Sequence, residues 1–67
     1  MPLLAYDIFK KDAAAMIWVE AVEDLESAKM RVRELLRASN AEYAIFNQHT
    51  KQVVFKAGRQ PIAGRHS

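Results

Sequence analysis

Cysteine is absent from this 67-residue chain, which excludes a disulfide framework, a thiolate metal site and a thiol nucleophile. Glycine and proline are scarce at two each, and Gly58 and Gly64 cannot form a phosphate-cradling loop. Long apolar runs are missing as well. A charged pattern begins at Asp7 and Lys10, so neither a secretory signal nor a membrane span is expected, and the expected setting is the cytoplasm. The two histidines, His49 and His66, fall in a turn and a tail without a partner at ligand spacing. Ser27, Ser39 and Ser67 sit in no G-x-S-x-G context. Glu20, Glu23, Asp24 and Glu26 straddle a strand end and a helix start, where capping accounts for them. A domain this small seldom encloses a pocket of even ~300 Å3. No catalytic residue, metal or cofactor is expected.

What is present suits a globular domain: 51% of residues are hydrophobic and 27% charged. A chain of this mass buries roughly 60% of its unfolded surface, enough for one small core and not for two. Charge is unevenly placed. Residues 1–34 carry five Lys/Arg against seven Asp/Glu, a net −2, whereas residues 35–67 carry five against one, a net +4. A basic C-terminal half can meet acidic partners, but +2 overall is a weak footprint for nucleic acid.

Five segments follow from pattern. Residues 3–10 (LLAYDIFK) and 15–21 (AMIWVEA) read as strands joined by a turn at 11–14, with helix a competitor near 13–16. Residues 25–39 form the clearest helix. Asp24 is its N-cap, Glu26 favours the first turn, and Asn40 is a left-handed stop. Leu25, Ala28, Val32, Leu35, Leu36 and Ser39 share a stripe roughly 100° wide. Residues 43–47 and 52–56 form a second hairpin whose loop, 48–51, ends left-handed at Lys51. From residue 57 the chain has no period and reads as a basic tail to residue 67. The expected fold is α+β: a single two-layer ββαββ domain over 1–56, a four-stranded antiparallel sheet ordered 2-1-3-4, one helix packed on one face.

One helix leaves the far side of such a sheet bare. If Tyr6, Ile8, Ile17, Val19 and Ala21 face the helix, Asp7, Phe9, Trp18 and Glu20 turn away. If Asn47 pairs with Gln52, then Phe46 pairs with Val53 and Ala44 with Phe55. Those four join the helix side, and the open face shows Phe9, Trp18, Tyr43, Ile45 and Val54. Such a patch marks an interface. It has three readings: self-association, stacking of single-stranded nucleic acid on the aromatics, or a register shifted by one that makes part of the set core.

A basic ridge is the other candidate surface. Lys29, Arg33 and Arg37 recur every four residues along the helix, and with Lys56, Arg59 and Arg65 they could contact phosphates or an acidic partner. The competing reading is a solvated face balanced by Glu26 and Glu34.

Two resemblances attach to particular stretches. AYDIFKKD, WVEAVEDLESAK and EYAIFNQHTK, spread over about residues 5–56, resemble short bacterial ββαββ proteins with no assigned function. This implies the fold and no activity. Met1-Pro2-Leu3 ahead of a strand is similar to the opening of the 4-oxalocrotonate tautomerase family. That likeness implies Pro2, freed by methionine removal, as a general base. The family passes from its first strand directly to a helix, however, and here a second strand intervenes. The expected function is a non-catalytic interaction or structural module, homodimeric through its open sheet face. A weak nucleic-acid binder and a Pro2 tautomerase are the alternatives, and no small-molecule substrate or membrane contact is implied.

Overall fold

The computed structural model describes residues 4–58. Its elements are β1 (Tyr6–Asp12), β2 (Ala15–Val22), α1 (Leu25–Ala38), β3 (Glu42–Asn47) and β4 (Gln52–Gly58). The four strands make one antiparallel sheet ordered β2-β1-β3-β4 with α1 on one face, the ββαββ arrangement expected. β4 runs two residues past the expected limit at 56. Pro2, Arg59, Arg65 and His66, together with most of the expected tail, lie outside the described residues.

Helix α1 starts where its cap dictates. Asp24 is extended, and its Oδ1 accepts from the Ser27 backbone N–H at 2.7 Å, satisfying one of the orphan donors of the first turn. Glu26 in the first turn and Arg37 in the last have the signs that the helix dipole favours. The expected stop at Asn40 is not used. Ser39 turns extended directly and donates its N–H to Leu35 O at 3.0 Å, so no left-handed residue is needed before β3. The apolar stripe seats Ala28 and Val32 in a core with Ile8, Tyr43 and Ile45. Leu25, Leu35 and Leu36 pack around it.

Both hairpins close with strained residues. The β1–β2 turn is two residues, Ala13 and Ala14, because Lys11 and Asp12 remain in the ladder, and Ala13 takes φ +56°. In the β3–β4 loop Asn47 Oδ1 accepts from His49 N–H (2.7 Å) and Thr50 N–H (3.2 Å). Lys51 N–H then donates to Asn47 O at 2.8 Å, and Lys51 sits at φ +62°, left-handed as its place in the loop implies. Gly58 has φ +138°, and a Cβ there would lie 2.5 Å from Ala41 O and 2.7 Å from Glu42 Cα, so only glycine fits.

Each edge strand carries one bulge, one on either side of the central Ile8–Ile45 pair. Ile8 pairs with Glu20 and Phe9 with Trp18, leaving Val19 over. Ile45 pairs with Phe55 and Phe46 with Val53, leaving Val54 over. These insertions invert the side-chain parity beyond them. Asn47 does pair with Gln52 and Phe46 with Val53, but Ala44 pairs with Lys56 rather than Phe55. Phe55 reaches the helix side opposite Ile45, while Val53 and Phe46 lie on the other face. The faces of β3 are set by its unbroken pairing with β1, Ile45 against Ile8, and are the reverse of those expected from sequence. Tyr43 (4% exposed) and Ile45 (0%) are core residues under α1, not open-face residues. In β2 the bulge at Val19 puts Glu20 opposite Ile8 on the helix side and Ala21 opposite Asp7 on the open side.

Two measurements check this register and turn chemistry. Lys51→Gly removes a left-handed cost and is expected to raise stability by about 1 kcal/mol, read as a higher urea midpoint at unchanged slope. Ile45→Ala is expected to lose about 2–5 kcal/mol, while Val53→Ala stays within about 1 kcal/mol.

Candidate interaction face

With β1 and β3 inside and β2 and β4 at the edges, pairing arranges the face away from α1 as three rows across the strands. From β2 to β4 the first row is Ala21, Asp7, Phe46 and Val53. The second is Trp18, Phe9, Ala44 and Lys56, and the third is Met16, Lys11, Glu42 and Gly58. Among the described residues no element covers this face.

A diagonal apolar band crosses it. Trp18 neighbours Phe9, whose ring meets Phe46 edge-on at 6.3 Å between centroids, and Phe46 neighbours Val53. Trp18 is 57% exposed, Met16 53% and Val53 47%. The indole is held rather than loose. Its Nε1–H donates to Asp7 Oδ1 at 3.1 Å, and the same oxygen accepts from Gln48 Nε2 at 3.0 Å. Beside the band, small Ala44 and Gly58 leave an open hollow of about 380 Å3, rimmed by Lys11, Met16, Glu42 and Lys56. Across the rim, Lys11 Nζ and Glu42 Oε1 are 4.0 Å apart, a loose exposed pair. The hollow is larger than a domain of this size was expected to offer, but it is open to solvent on the sheet surface.

Of the five residues expected on this face, the structure brings Phe9 and Trp18 together there. Val54 occupies the β4 bulge outside the rows, 40% exposed, and Tyr43 and Ile45 are buried. Phe46, Met16 and Val53 take part instead. The sequence held a signal for Phe46: Ala44-Ile45-Phe46 offers an apolar residue to either face, so one of Ile45 and Phe46 had to be outside.

The basic residues do not form one surface. Lys29 lies on α1 with its Nζ 5.3 Å from the Phe55 ring centroid, a cation–π contact at the helix flank. Arg33 and Arg37 are exposed on α1. Lys56, between Phe55 and Ala57 on β4, points to the opposite face of the sheet, which separates it from that ridge. Arg31 is instead the helix cation with structural partners. Its Nη1 donates to Glu34 Oε1 and its Nε to Glu20 Oε2, both at 3.1 Å. These carboxylates, Glu34 first, raise the Arg31 pKa above its ordinary value. The Glu20 contact ties edge strand β2 to the helix, and it is half-exposed. Glu20→Gln is therefore expected to leave both the urea midpoint and helical circular dichroism nearly unchanged.

Among the described residues no group of three or more His, Asp or Glu is placed to hold a metal ion, and His49 is exposed in the β3–β4 loop. No described helix is long and apolar enough to cross a membrane. Comparison with protein families, curated proteins and solved structures finds no match to this chain.

Proposed function

We propose that this chain is a non-catalytic interaction module of the cytoplasm that works as a homodimer, joined through the sheet face opposite α1. The apolar band Trp18–Phe9–Phe46–Val53 carries this reading. It is contiguous and set on the sheet, with Trp18 and Val53 exposed at its ends and Phe9 and Phe46 half-buried between them. Scattered exposed hydrophobic residues are ordinary, but a joined set of three aromatics and a valine is what an interface needs. Size supplies the motive. The fully buried core is Ile8, Ala28, Val32, Tyr43 and Ile45, and a domain this small gains much from area dried against a second chain. The charges near the band are few and of both signs, which suits a protein partner better than a polyanion.

Light scattering on the purified chain is expected to give twice the 7.6 kDa monomer mass. Trp18→Glu should restore the monomer mass while far-UV circular dichroism keeps its helical signal. A wild-type chain that stays monomeric at several hundred micromolar defeats the proposal. A mobility shift with single-stranded nucleic acid that weakens steeply with salt would favour the binder of phosphates instead.

A further inference from the structure

We infer that two copies pack open face to open face about a two-fold axis running parallel to the strands, midway between β1 and β3. This rests on the dimer proposed above and specifies its geometry. Such an axis sets each strand over its mirror position in the order β2-β1-β3-β4, so β2 faces β4 and β1 faces β3 of the second copy, row on row. Placed midway, it also covers all four strands.

The facing residues then complement one another. Lys11 meets Glu42 of the second copy, and Glu42 meets Lys11 in return. Phe9 stands over Ala44, and Met16 over Gly58, so two large side chains enter the hollow of about 380 Å3 that those small residues leave. The exposed Trp18 ring faces Lys56, the geometry of a cation–π pair. Ala21 faces Val53. Asp7 faces Phe46, the one unfavourable meeting, but the carboxylate retains its bonds from Trp18 and Gln48. Stacked sheets rotate by about 30° relative to each other, which leaves the central Phe9–Ala44 pair facing and offsets Lys11–Glu42 and Trp18–Lys56 alike by roughly 4 Å, within the reach of their long side chains.

The other two-fold axis in the interface plane, perpendicular to the strands, reverses the rows and serves the same residues worse. It sets Lys56 on Lys56, Trp18 on Trp18 and Phe9 on Phe9. Val53 then lies over Gly58, and Glu42 over Phe46. It gains Asp7 against Lys11 but brings like charges together and stacks large on large. Charge and size both select the parallel axis.

Analytical ultracentrifugation of charge variants tests this. Lys11 and Glu42 are half-exposed, so reversing either leaves the fold intact, with circular dichroism as the control. Lys11→Glu and Glu42→Lys should each weaken the homodimer by about tenfold or more, since each change enters the interface twice. An equimolar mixture of the two variants should recover a heterodimer within about threefold of wild-type affinity, because each reversed charge then meets its opposite. Lys56→Ala should weaken the dimer by about threefold or more through the lost Trp18 contact. Tightening by Lys56→Ala overturns the inference in favour of the perpendicular axis. A wild-type dimer indifferent to all three changes overturns the geometry and leaves the dimer standing, as edge-to-edge pairing through β2 would. A wild-type monomer overturns both.

Discussion

A helix of 14 residues is about 21 Å long and, with side chains, about 10 Å across, whereas four strands at about 4.8 Å spacing span roughly 19 Å. One helix can therefore dry the middle of one sheet face and nothing of the other. The burial follows that geometry. Ile8 and Ile45, on the two central strands, are fully enclosed, while Val19, Val22 and Phe55 on the edge strands are only partly so. At the far end of the β1–β2 hairpin the helix has run out, and residues 11–18 are all exposed, including Ile17 on the helix side. On the opposite face Trp18, Met16 and Val53 stay exposed in the isolated chain, Phe9 and Phe46 are half-buried by their neighbours, and only small Ala44 is buried.

Parity is thus the second constraint, and two bulges set it. Both sit on edge strands, one on either side of the central Ile8–Ile45 pair. Each interrupts the regular ladder that an outside strand would use. β4 adds Lys56 near its end. β2 has no charge from Ala15 to Val19, so its bulge at Val19 is the device that blunts the edge there. With both edges interrupted in this way, the proposed association falls to the open face rather than to an edge.

These constraints explain what the chain's letters disclose. The helix was legible because Asp24, the 3.6-residue stripe and the first-turn Glu26 agree with one another, and local agreement of that kind survives into the fold. Lys51 was legible because a four-residue loop fixes the conformation of its last member. The faces of β1 were legible because Asp7 and Lys11 flank Phe9 while Ile8 stands among them. β3 offered no such contrast: Tyr43 and Ile45 make one apolar face, Ala44 and Phe46 another, and only the pairing with Ile8 decides between them. The bulges left no trace at all. Val19 and Val54 are ordinary strand formers, without the glycine or proline that would mark an irregularity, so the parity they invert was carried straight through.

The bond from Trp18 to Asp7 shapes what the open face can do. An indole on an edge strand would ordinarily lose rotamer freedom on being covered, a cost charged against association. Here the Nε1–H to Oδ1 bond at 3.1 Å fixes the ring against the sheet on folding, so that loss is incurred before any partner arrives. The same carboxylate works in the other direction. Asp7 holds two neutral donors, and no cation lies within salt-bridge distance of it among the described residues, so drying the face around it is unfavourable. In a two-fold dimer that penalty enters twice. For the dimer proposed above, the preformed aromatic band would favour specificity and the two buried carboxylates would limit affinity, which argues for association that responds to concentration.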